Sequence, residues 1–126
     1  MEDIKGTLDG FLRAFSELNL DEMMAYYSDD ATTFLPTRHH SPRLDGKEAI
    51  KEVFARVISK IMASGATRIQ LEAEDVHVQK FDGVAVATFH VRDADLCRRT
   101  LVLRSSQGRW LIEHFHASNA PLPEEA

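Results

Sequence analysis

The sequence predicts an α+β domain, helices first and antiparallel strands later. Three observations carry that class. Apolar residues recur at three- and four-residue steps near the start and again over residues 50–62. After Gly65 the apolar period drops to two. Asp82-Gly83 and Ser106-Gln107-Gly108 then punctuate the later segments as hairpin turns.

Each element follows from its own residues. Ile4, Leu8, Phe11, Leu12, Phe15 and Leu18 form one apolar face, which predicts a helix over about residues 2–18. Asn19 caps a short second helix, with Glu22 three residues on as its capping-box partner. Met23, Met24, Tyr26 and Tyr27 ride on it, and Asp29-Asp30 end it. Residues 31–35 read as a short strand stopped by Pro36, and residues 36–45 as a polar loop that exposes His39 and His40. Asp45 is the expected cap of a third helix, with Glu48 as partner. Ile50, Val53, Phe54, Val57, Ile58, Ile61 and Met62 keep helical spacing until Gly65 supplies a stop. Ile69, Leu71 and Ala73 alternate with polar residues, and Val76 and Val78 fall on the opposite parity, so a bulge is expected near Asp75. Residues 84–92, 97–105 and 109–118 are the remaining strands.

The 126 residues suit one domain, placed at residues 1–120, with an irregular acidic tail at 121–126. Fifteen Lys+Arg against twenty Asp+Glu leave a net charge of −5, which argues against nucleic acid or an anionic membrane as partner. The single cysteine, Cys97, cannot form an internal disulfide. There is no apolar run of membrane-spanning length and no basic-then-apolar leader, so a cytoplasmic setting is expected.

The turn at 106–108 decides which residues share a face of the last hairpin. A three-residue loop with Gly108 in the bulge position puts Arg99, Leu101, Leu103, Leu111, Glu113, Phe115 and Ala117 on one face. Thr100, Val102, Arg104, Trp110, Ile112, His114 and His116 then take the other. Both faces are substantially apolar, and three helices cover only one. The second face is therefore expected to meet another copy of the chain, with Thr100, Val102, Trp110, Ile112, His114 and His116 as the interface of a homodimer or higher oligomer.

The stretch Gly108-Arg109-Trp110 followed by His114-Phe115-His116-Ala117-Ser118-Asn119-Ala120-Pro121 resembles the end of the nuclear transport factor 2-like superfamily, also called SnoaL-like or cystatin-like. It is most similar to the branch holding the association (hub) domain of calcium/calmodulin-dependent kinases. Phe34-x-Pro36, Val76-His77-Val78, Asp82 and the YYSDDA run at 26–31 match in order. The resemblance implies a curved antiparallel sheet wrapped around a long helix, a cavity at the open end of this cone, and dimers through the convex sheet face. Ketosteroid isomerases of this fold carry a catalytic aspartate where this chain has Leu35. The positions matching the basic residues of the hub cavity hold Ile50, His90, Leu101 and Ala117.

The chemical candidates are few. On the parity above, His90 and Glu113 both face the cavity, on strands two spacings or about 10 Å apart, where a small ligand fits between an acid and a base. Tyr27, Phe34, Phe54, Leu101, Leu103 and Phe115 are the expected apolar lining, with Tyr27 adding a phenol. His114 and His116 point the same way but need a third ligand, so no metal is expected. Cys97 has no evident activating pair. Without a glycine-rich phosphate loop or nucleophile elbow, no cofactor is expected. Two readings of function stay open: a cone that binds a small apolar ligand, with or without cofactor-free acid/base chemistry, and a non-enzymatic oligomerisation module.

Overall fold

The computed structural model describes residues 3–36, 42–92 and 96–120; the His39-His40 loop and the acidic tail lie outside them. Helix α1 (Ile4–Ser16) starts where the Asp3 carboxylate accepts the Gly6 N–H. Helix α2 (Leu20–Met24) starts at Asn19, whose side chain accepts the Glu22 N–H at 3.1 Å as the capping-box pattern predicts; the return bond to the Glu22 carboxylate comes from Asn19 Nδ2 at 3.0 Å, because the Asn19 backbone N–H donates to the Ala14 carbonyl instead. Strand β1 (Tyr27–Phe34) is longer than its apolar run, because it begins at the end of α2 rather than after Asp30. A two-residue strand, β2 (Leu44–Asp45), precedes helix α3 (Lys47–Ala63). Asp45 does not cap α3: it pairs with Thr32 in the sheet, accepts from Arg43 Nε at 2.6 Å, and leaves Gly46 as an N-cap without a side-chain bond.

Four long strands close the fold: β3 (Glu74–Lys80), β4 (Val84–Arg92), β5 (Leu96–Ser106) and β6 (Arg109–Ala120). The expected bulge is present, with Asp75 at φ 54° and a register shift between Glu74 and His77. Ile69, Leu71 and Ala73 precede β3 without pairing as a strand, although the Ile69 N–H reaches the Ser16 carbonyl at 2.8 Å and all three pack partly against the core. The curved sheet runs β2-β1-β6-β5-β4-β3. Every pairing is antiparallel except β1 with β6, which is parallel. None of the described helices is long and apolar enough to cross a membrane.

One face of the sheet holds the core. Ala85, Ala87, Phe89 and Val91 of β4, Leu101 and Leu103 of β5, and Ile112, Phe115 and Ala117 of β6 are buried there against Leu8, Phe11, Phe54 and Ile58 of the helices. Phe11 is 1% exposed and makes edge-on ring contacts with Phe15, Tyr26, Tyr27 and Phe115 at centroid distances of 5.7–6.4 Å. Gly10 lets α1 approach: a Cβ there would collide with the Tyr26 hydroxyl.

The last hairpin corrects the expected faces. Ser106 pairs with Arg109 across a two-residue turn in which Gln107 (φ 51°) and Gly108 (φ 79°) are both left-handed. Two consecutive positive φ angles match the strand twist better than a bulged three-residue loop. Trp110 and Ile112 therefore point into the core, 2% and 1% exposed, and Leu111 points out. A register shift between Val102 and Leu103 then absorbs one residue of β6 at Glu113. Beyond it the faces agree with expectation: Phe115 and Ala117 in, His114 and His116 out.

Candidate functional site: the outer face of the sheet

Register defines the outer face as rows of cross-strand neighbours. One row runs Gln79–Val86–Val102–His114–Thr32, and the next His77–Thr88–Thr100–His116–Phe34. Residues directly opposite each other project to the same side. Val86, Val102, Thr88, Thr100, Leu111, Phe34 and His114 are all only half-buried, whereas their alternates in each strand are sealed in the core. The face sets Val86 and Val102 side by side among threonines and histidines, and Arg104 Nη2 lies 2.7 Å from Glu113 Oε1 beside them.

The parallel β1–β6 pairing builds the most structured part of this face. Thr32 Oγ1 and His114 Nδ1 share a hydrogen bond of 2.7 Å. The Phe34 ring sits 5.8 Å from the His114 ring and 5.3 Å from that of His116. The two imidazoles are 6.3 Å apart. Burial holds the His114 pKa below its ordinary 6.5, the nearby His116 and Arg43 charges add to that, and the Thr32 bond opposes it. The unfolded chain therefore binds more protons than the folded one across this window. Stability is fully present above about pH 6.5 and falls as the pH drops toward the lowered folded value. His114→Gln should flatten this trend. In thermal melts from about pH 7 to about pH 5 the unmodified chain should lose more melting temperature than the variant. Equal losses would remove His114 as the cause.

The predicted acid–base pair does not assemble. His90 alternates with the buried Phe89 and Val91, so it lies on the outer face, with Nε2 3.7 Å from Glu74 Oε1. Glu113 is brought to the same outer face by the bulge and is engaged by Arg104. His90 is opposite Arg98, and the bulge is opposite Val102 and Leu103, at least four residues or about 13 Å along β5. The expected cavity lining is also redistributed. Tyr27, Phe54, Leu101, Leu103 and Phe115 pack against one another and the helices as closed core, while Phe34 points outward. The Tyr27 hydroxyl is buried with no hydrogen-bond partner among the described residues, and burial raises its pKa. An open recess of about 1050 Å³ lies elsewhere, between α1 and residues 68–76, with Asp9, Arg13, Arg68 and Glu72 among its walls.

Of the interface residues predicted, Thr100, Val102, His114 and His116 lie on the outer face, and Trp110 and Ile112 do not. Val86, Leu111 and Phe34 take their place. The strict alternation in β4 was a signal for Val86, but Leu111 depended on the turn geometry. The Thr32–His114 contact depended on a parallel pairing that no local pattern announces.

The chain belongs to the SnoaL-like domain family, whose model matches residues 4–123. Its fold is shared by a nuclear transport factor 2-like protein of unknown function from Pseudomonas putida (TM-score 0.79, 21% identity, 97% of this chain and 87% of that one). It is shared also by a cystatin-like protein from Caulobacter vibrioides (TM-score 0.79, 13% identity, 94% and 88%). A candidate calcium/calmodulin-dependent protein kinase type II association domain from Thiobacillus denitrificans is similar over 95% of this chain and 97% of its own (TM-score 0.74, 21% identity). Comparison with curated proteins finds no match.

Proposed function

We propose that this domain works as a self-association module, two copies meeting through the outer face of the sheet. The observation that carries the reading is the contrast between the two faces. The inner face is sealed by Phe11, Tyr27, Phe54 and Phe115, while Val86, Val102, Leu111 and Phe34 stay half-exposed on the outer one. Half-exposed apolar residues set among uncharged and charged polar ones match the mixed composition of a protein interface. A two-fold axis through such a patch makes it self-complementary, and a lasting contact needs about 1,000 Å² or more in total. Likeness to a kinase association domain supports the reading, since association is what that protein is described as doing.

The test is Val102→Lys, followed by light scattering after gel filtration. Val102 sits mid-row and only half-buried, so a lysine there leaves the monomer core intact but places unpaired charges in the interface. The unmodified chain should run at twice its 14.2 kDa mass and the variant at one such mass. Equal masses for the two would refute this face as the interface.

A second reading, a small apolar ligand held inside the cone, draws on one observation: the buried Tyr27 hydroxyl, which has no partner among the described residues. A bound molecule with an acceptor group would satisfy it. Native mass spectrometry of the same samples separates the readings, because a retained small molecule adds mass to each subunit whatever the subunit count.

A further inference from the structure

His114 and His116 are two residues apart on β6 and both project from the outer face. Their ring centroids lie 6.3 Å apart. A modest turn of either ring brings both onto one ion, at about 2.1 Å from each nitrogen. The pair is held in place by its neighbours. Phe34 packs against both rings, and Thr32 Oγ1 meets His114 Nδ1 at 2.7 Å. That bond occupies Nδ1 and leaves Nε2 as the nitrogen with a free lone pair, which is how an outer partner orients a metal-binding histidine. The nearby Arg43 is not an unpaired cation, because the Asp45 carboxylate accepts from its Nε at 2.6 Å. Among the described residues of one copy, no third His, Cys, Asp or Glu converges on the pair. One chain therefore carries half a metal site.

The geometry points to a zinc-type site shared between two copies, in which His114 and His116 of each chain supply two of four imidazole ligands. The site rests on the reading of the outer face as the interface, and it goes further by putting the two-fold axis over β6. Two sheets packed face to face lie about 10 Å apart, and an imidazole spans about half that gap, so facing histidines meet at its middle. An axis running along β6, or crossing it between the two histidines, returns the same pair from the opposite side. Four neutral imidazoles suit a borderline divalent cation such as zinc in tetrahedral geometry. They do not suit calcium or magnesium, which take oxygen ligands. The third ligand that a single chain lacks is thus supplied by the second.

The experiment uses the untagged full chain, stripped with a chelator, reloaded with zinc and dialysed. Elemental analysis should find one zinc per two chains. Zinc should lower the concentration at which the dimer dissociates by at least about tenfold, read by sedimentation. Cobalt(II) in place of zinc should give the strong visible absorption of a four-coordinate ion. His116 is exposed, so His116→Ala keeps the fold, and it should weaken zinc by more than about tenfold. The imidazole nitrogen resonances of His114 and His116 in the unmodified chain give a check that needs no variant. They should move together and stop at half an equivalent of zinc per chain. Chains that stay dimeric in the chelator but take up no zinc overturn the site and leave the interface standing. Chains that are monomeric with and without zinc overturn both. One zinc per chain, unchanged affinity in His116→Ala, or imidazole signals that do not move would each overturn the shared site.

Discussion

Ile112→Lys is expected to unfold the domain, not merely to divide an oligomer. Ile112 is 1% exposed and sits opposite Leu103 and beside Tyr27, in the middle of the sealed inner face. A lysine there loses the isoleucine packing and strands an ammonium among apolar side chains with no described carboxylate to meet it. Losing the buried side chain costs about 2–5 kcal/mol, and the unpaired polar group adds several more. Domains of this size are stable by only about 5–15 kcal/mol. Far-ultraviolet circular dichroism should therefore show an unfolded or aggregated chain, whereas Val102→Lys, ten residues away on the outer face, keeps a native spectrum. A folded Ile112→Lys monomer would show that the residue faces outward and that the register of the last hairpin is wrong.

Phe11→Ala should be the most damaging truncation of a single ring. Phe11 lies where α1 crosses the sheet and touches four aromatic side chains drawn from α1, the α2–β1 junction and β6. Removing it opens a cavity that Gly10 and Ala14, its small neighbours on the helix, cannot fill. The cost should be about 3–5 kcal/mol in urea unfolding. Phe34→Ala, on the outer face, should cost the monomer far less. Similar losses for the two would mean that the aromatic cluster is not the centre of the core.

The helices were legible because their signals are local. Periodic apolar residues marked α1 and α3, and the Asn19–Glu22 pattern marked the start of α2 to the residue. The alternation of Ala85, Ala87, Phe89 and Val91 likewise separates the two faces of β4, and it places His90 outside on its own evidence. A cavity position for His90 conflicts with that parity, since its neighbours Phe89 and Val91 are the buried ones. Glu113, the partner expected on β6, was misplaced because a glycine at the end of a turn suits both a two-residue and a three-residue loop. Only the left-handed Gln107 decides between them, and glutamine carries no preference that announces it. The bulge at Glu113 then restores the face of Phe115 and His114, so an early error in register was cancelled further along the strand. The parallel pairing of β1 with β6 joins residues more than eighty positions apart and follows from packing of the whole chain, not from either strand alone.

Sedimentation velocity of the unmodified chain over a range of concentrations tests the central claim most directly. The account predicts a single boundary at a mass of at least two 14.2 kDa chains that persists on dilution to the micromolar range. A monomer at every concentration would contradict it, because the apolar outer face would then be stable in water without a second copy to cover it.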